Sequence, residues 1–125
     1  MTDDQKDLRA HLENLLLICE RAERVRVETN ERLFYKQEID QMAVAMLITR
    51  LGEASVRILR KFSDFAAENP QLPFHFAKGM RNRIVHDYEG VSLDVMWDTF
   101  DISFPIFHEQ LKITIQAFDA KNDTL

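Results

Sequence analysis

Cysteine is nearly missing from this chain: Cys19 is the only one in 125 residues. One thiol makes no internal disulfide and no Cys-based zinc site, and such usage fits a reducing cytoplasm. Glycine and proline are as sparse, three of each. That leaves too little turn chemistry for a many-stranded sheet and points to few, long elements. No apolar run approaches the length that crosses a membrane, and no basic-then-apolar leader begins the chain. Positive charge is in deficit as well. Against 21 Asp and Glu stand 16 Lys and Arg, a net charge of −5, which argues against coating nucleic acid through bulk electrostatics. A small local basic site remains open, as does an RNA met briefly between two subunits.

What is present reads as helix. The length suits one domain over residues 1–125, large enough to bury a core without staples. Thr2 or Asp3 can cap a first helix whose apolar face is Leu8, Leu12, Leu15, Leu16, Cys19 and Ala22. That periodicity fades near Glu28-Thr29-Asn30, and a short connection, Glu31 to Lys36, carries Leu33, Phe34 and Tyr35. From Glu38 a second helix is predicted through Ile39, Met42, Met46, Leu51, Ile58, Phe62 and Phe65. Every residue from Met42 to Ile48 is apolar, so this segment is expected to be buried on most sides. Gly52 lies in its middle, where Gly costs roughly 1 kcal/mol relative to Ala and usually permits close approach of another helix. Arg57, Arg60 and Lys61 form a basic cluster that reads either as a solvated face or as a contact to an RNA backbone.

Glu68-Asn69-Pro70-Gln71-Leu72-Pro73 breaks the chain. A third, shorter helix follows from Phe74. Ser92 is a good N-cap for the last helix, whose stripe is Leu93, Trp97, Phe100, Phe104, Phe107, Leu111, Ile115 and Phe118. Pro105 is expected to kink that helix without ending it, since the stripe continues in phase. The tail after Asp119 is expected to fray. The fold class is all-α, an antiparallel bundle of four to five helices.

One stretch does not fit the pattern of apolar stripes with polar backs. Met80-Arg81-Asn82-Arg83-Ile84-Val85-His86-Asp87-Tyr88 crowds two Arg, an Asn, a His and a Tyr between Gly79 and Gly90. An Arg forks onto phosphate and a His moves protons near neutrality. Metal-free RNA cleavage needs a base for the 2′-hydroxyl, an acid for the leaving 5′-oxygen and a cation for the charge on phosphorus. Arg81 and His86 supply those groups, with Asn82 to orient them and Arg83 as a further RNA contact. No HExxH, DxD or paired-carboxylate spacing offers a metal site, no cofactor motif is present, and the nucleotide-binding glycine loops are absent. On a regular helix, however, five residues leave Arg81 and His86 roughly 140° apart. Either the helix ends between them or two copies of the chain contribute to one site. On spacing alone an Arg and a His near a helix end also fit a C-cap and its dipole partner.

The motif Arg81-x4-His86-x-Tyr88 resembles the signature of the HEPN superfamily, and more closely the HepT toxins of MNT–HEPN pairs. Leu51-Gly52-Glu53-Ala54 and Pro70-Gln71-Leu72-Pro73-Phe74 are similar to two further segments of that family, and the likeness runs from about Ile39 to Leu111. The resemblance implies a cytoplasmic, homodimeric, metal-independent ribonuclease toxin of a type VII-like toxin–antitoxin pair. It implies Arg81 and His86 as catalytic residues with Asn82 in support, and neutralisation by an MNT-type nucleotidyltransferase antitoxin that adenylylates Tyr88. A non-catalytic HEPN partner of a nucleotidyltransferase is the alternative. Two departures stand out. Asp87 puts a carboxylate where relatives carry a small or uncharged residue, where it can repel an RNA phosphate, and Phe74 replaces a Trp.

Overall fold

The computed structural model describes residues 1–122. Helix α1, Asp3–Glu28, starts from a capping box: the Gln5 N–H donates to the Thr2 hydroxyl at 3.2 Å, and the Thr2 N–H donates to Gln5 Oε1 at 2.8 Å. The Asn30 side chain caps the short α2, Glu31–Lys36, and α3 runs over Glu38–Lys61. Next come α4, Ser63–Glu68, and α5, Phe74–Asp87, which passes into one 3₁₀ turn at Tyr88–Gly90. Ser92 caps α6, Leu93–Asp98, and the helix continues through a π-helical turn, Thr99–Ser103, into α7, Phe104–Asn122. No strand occurs among the described residues.

The four long helices pack antiparallel along the seams their side chains define. Lys61 at the end of α3 reaches Asp7 near the start of α1 at 2.9 Å. Arg9 near the start of α1 binds Asp119 and Arg26 near its end binds Asp101, so the last helix runs antiparallel against α1. Helix α5 lies against α3, with Gly52 facing Ala77 and Arg81. The core between them holds Leu12, Leu15, Phe34, Val44, Ile58, Phe100 and Leu111, all fully buried. Burying side chains of this size stabilises by about 1.5–3 kcal/mol each. The short α2 therefore docks under the bundle through Phe34, whose ring lies 5.2 Å from that of Trp97. Buried Ser55, Thr99 and Thr114 each donate to the carbonyl one turn earlier, so none leaves a hydroxyl unsatisfied.

Four expectations need adjustment. The run from Met42 to Ile48 is not covered on most sides, for Met42 and Met46 are each 54% exposed and Ile39 is 79% exposed. An apolar run reports affinity for a neighbour, and within one chain nothing covers this side of α3. The second helix stops at Lys61 instead of running past Phe65. The break at Phe62 sends that ring to His11 of α1 (5.4 Å) and Phe65 to Phe118 of α7 (6.4 Å), which one straight helix could not do. The irregularity expected at Pro105 takes the form of the π turn just before it, where the Phe104 N–H bonds to Thr99 O. Finally, α7 does not fray after Asp119 but continues to Asn122, which accepts a bond from Gln5 at 2.7 Å. Residues 123–125 of that tail lie outside the described residues.

Candidate active site

Arg81 leaves α5 on the side that meets α3. The contact is close because Gly52 has no side chain: a β-carbon there would lie 2.2 Å from Arg81 Cβ and 2.6 Å from the Ala77 carbonyl. This confirms the close approach expected at Gly52. The guanidinium is consequently held rather than free. Its Nη1 donates to Asn82 Oδ1 at 3.0 Å, and its Nε lies 3.9 Å from Glu53 Oε1, too far for a hydrogen bond. Arg81 Nε is buried without a partner. A buried charged donor left unpaired is costly, and such groups collect where a ligand completes them.

His86 lies on the same helix but not at the same place. Helix α5 continues unbroken through Asp87, so no helix end falls between Arg81 and His86. Their side chains leave the axis about 140° apart. His86 is exposed and, among the described residues, makes no hydrogen bond. Asn82 is half-buried and bridges the gap: it holds Arg81, and it precedes His86 by one turn on the exposed side of α5. Arg83 points away from Arg81, lies beside the His86 turn, and rests its Nη1 4.0 Å from Met80 Sδ.

Asp87 has a local structural use. Its Oδ1 accepts from the Gly90 N–H at 3.1 Å and caps the 3₁₀ turn. A β-carbon on Gly90 would meet the same carboxylate at 2.0 Å, so Gly90 makes room for it. Tyr88 opens that turn, half-buried against the core. Burial pushes its phenol above the ordinary tyrosine value, and the carboxylates of Glu89 and Glu38 add to the effect. The nearness of Glu38 also places the start of α3 beside Tyr88.

The basic cluster divides. Lys61 is paired with Asp7 at 2.9 Å and belongs to the α1–α3 seam, whereas Arg57 and Arg60 are exposed with no ion-pair partner among the described residues. Sequence reasoning assigned no role to Glu53 or Lys78. Glu53 follows Gly52, the residue that brings Arg81 to α3. Lys78 falls one turn before Asn82 on the exposed stripe, a spacing that was available in the sequence. Away from this site, His108 is buried with Nδ1 2.9 Å from Glu23 Oε1. Cys19 is buried, and its thiol is pushed up to about 12 by burial first and by Glu23 and Glu20 second. Among the described residues no group of three His, Cys, Asp or Glu is placed to hold a metal ion, and no helix is long and apolar enough to cross a membrane.

Residues 15–113 match a family model described as ribonuclease HepT-like. A Thermococcus cleftensis protein named a probable ribonuclease HepT is 32% identical over 100 residues, 78% of this chain and 88% of its own. A Methanocaldococcus jannaschii protein provisionally named an RNase is 31% identical over 122 residues, 95% and 96% of the two chains. Another, from Caldanaerobacter subterraneus subsp. tengcongensis and also provisionally named an RNase, is 29% identical over 112 residues, 89% and 96% of the two. No solved structure gives a significant match.

Proposed function

The chain belongs to the HepT-like ribonuclease family, and from that premise we propose that it is a metal-independent endoribonuclease whose active site is shared by two copies. The observation that carries this reading is the unbroken course of α5. One copy turns Arg81 and His86 roughly 140° apart, whereas a two-fold axis beside α5 sets the same groups of two copies against one phosphate. The exposed apolar residues Ile39, Met42 and Met46 of α3 and Val85 of α5 supply the surface for such a pairing. Val85 lies on the same exposed stretch of α5 as Asn82 and His86, and Met46 lies where α3 borders α1.

In that cleft one His86 takes the proton from the 2′-hydroxyl, and the 2′-oxygen forms a bond to phosphorus. The bond from phosphorus to the 5′-oxygen breaks, and the partner copy's equivalent imidazole delivers a proton to the leaving oxygen. The products are a 2′,3′-cyclic phosphate and a free 5′-hydroxyl. Arg81, with its unpaired Nε and a guanidinium oriented by Asn82, stabilises the charge that gathers on the phosphorane oxygens.

Such an enzyme is a hazard in the cytoplasm, and a toxin–antitoxin pairing fits it. An MNT-type nucleotidyltransferase would join AMP from ATP to the Tyr88 oxygen, releasing pyrophosphate. The Tyr88 phenol is protonated near neutrality and burial raises its pKa further, so the transferase must supply the base. The added phosphate would place negative charge two residues from His86, where the substrate phosphate must sit.

Met46→Glu tests the shared site. Met46 is 54% exposed in one copy, so the variant should keep its helical melting curve, sediment as a monomer and lose RNA cleavage together. A Met46→Glu monomer that cleaves like the parent would refute the shared site.

A further inference from the structure

A groove of about 740 Å³ opens between α3, α4 and the start of α5. Its wall is apolar and partly aromatic, with Pro70, Pro73 and the exposed Phe76, and its rim carries Arg60 from α3 and His75 and Lys78 from α5. Among the described residues no acidic side chain lines it, although Asp and Glu outnumber Lys and Arg by 21 to 16 in the chain. Neither Arg60 nor Lys78 has an ion-pair partner among the described residues, and both are exposed. Their neighbour Lys61, by contrast, is neutralised by Asp7.

The groove adjoins the Arg81 site through Lys78. Lys78 precedes Arg81 by three residues and Asn82 by four, so it adjoins both on α5. On α3, Arg60 follows Glu53 by two turns along the same outer edge. Because the helices are antiparallel, one seam carries Asn82 and Arg81 opposite Glu53, then Lys78, then His75 opposite Arg60. Val85 lies at the other end of α5. The first turn of α5 opens into the groove without a side-chain cap, and its backbone dipole adds to the positive potential of the two cations.

From this layout we propose that the groove is a subsite for the single-stranded RNA flanking the scissile phosphate. Arg60 and Lys78 bind backbone phosphates on one side of the cleavage point, while a base packs on Pro73 and the half-exposed ring of Phe76. Unpaired cations along a groove with apolar walls are the arrangement that single-stranded nucleic acid selects. The inference rests on the ribonuclease reading for the position of the scissile phosphate. It is nonetheless a statement about binding, and is tested without turnover.

The test uses His86→Ala protein, which leaves the RNA intact, and a labelled oligouridylate whose binding is followed by fluorescence anisotropy over a range of salt. Adding Arg60→Ala and Lys78→Ala should weaken binding about tenfold or more at low salt. It should also reduce the slope of log affinity against log salt by about 1.4, the value for two phosphate contacts on a single strand. Unchanged affinity and slope would overturn the subsite, as would a His86→Ala protein that binds no oligouridylate. Weaker binding with the parent's slope would show that the two cations do not contact phosphate, and overturns it too. Cleavage by the parent reports separately on the ribonuclease reading. A subsite that binds RNA in a protein that never cleaves it would sink that reading and leave this one standing.

Discussion

Gly52 of α3 and Arg81 of α5 touch backbone to side chain, with no room for a methyl group between them. The catalytic cation proposed here is therefore placed by the absence of a side chain on the neighbouring helix. Gly52→Ala gains about 1 kcal/mol of helix propensity. Against that, the new β-carbon overlaps the Ala77 carbonyl at 2.6 Å, a backbone atom that cannot rotate away. Overpacking of this kind costs about 1–3 kcal/mol. Denaturant unfolding should show net destabilisation of up to about 2 kcal/mol, and RNA cleavage should fall further than stability because Arg81 is displaced.

Gly79 provides the opposite case on the same helix. A β-carbon there meets nothing within 4 Å, and its backbone is ordinary helix. Gly79→Ala should raise stability by about 0.5–1 kcal/mol, by the same entropy argument that fails at Gly52. Equal signs for the two substitutions would show that the α3–α5 contact is looser than described.

Arg26 and Pro105 should be energetically coupled. Pro105 has no N–H for the Asp101 carbonyl, and Arg26 Nη1 donates to that oxygen at 2.9 Å. Arg26→Ala should cost about 1 kcal/mol in the parent. In a Pro105→Ala background, where the helix can repair itself, the cost should be clearly smaller. A double-mutant cycle by urea denaturation measures the difference; additive effects would mean that Arg26 does not serve the gap.

Tyr35 should ionise late. Its hydroxyl donates to Asp94 across α2 and α6, and that bond, more than burial or the neighbouring acids, moves its pKa up to about 12. The folded value lies above the unfolded value of about 10. The tie is therefore fully present below pH 10 and is lost as pH rises toward 12. Absorbance titration of parent and Tyr35→Phe protein should assign a late phenolate step to Tyr35, and a Tyr35 midpoint near 10 would refute the tie.

Much of this fold was legible from spacing. The stripes of α1 and α7, the caps at Thr2 and Ser92, the break before Phe74 and the meaning of Gly52 all follow from local rules. Such rules see one helix at a time. They mistook Met42 and Met46 for core, because an apolar run looks the same whether its cover is the same chain or another molecule. They grouped Lys61 with Arg60, because adjacency in sequence does not reveal that Asp7 of α1 neutralises one and leaves the other free. They passed over Lys78, whose spacing to Asn82 was legible but whose shared groove with Arg60 of α3 was not. The candidate motif could be picked out because its residues are consecutive; the divergence of Arg81 and His86 needed the structure to show that α5 does not end between them.

The most direct test of the central claim is RNA cleavage by the purified chain in EDTA, beside His86→Ala, with the intact mass of each protein measured. With a parent free of added AMP, the expected result is fragments with 2′,3′-cyclic phosphate ends from the parent and none from His86→Ala. An unmodified parent dimer that leaves RNA intact, or a His86→Ala protein that cleaves as well as the parent, would contradict it.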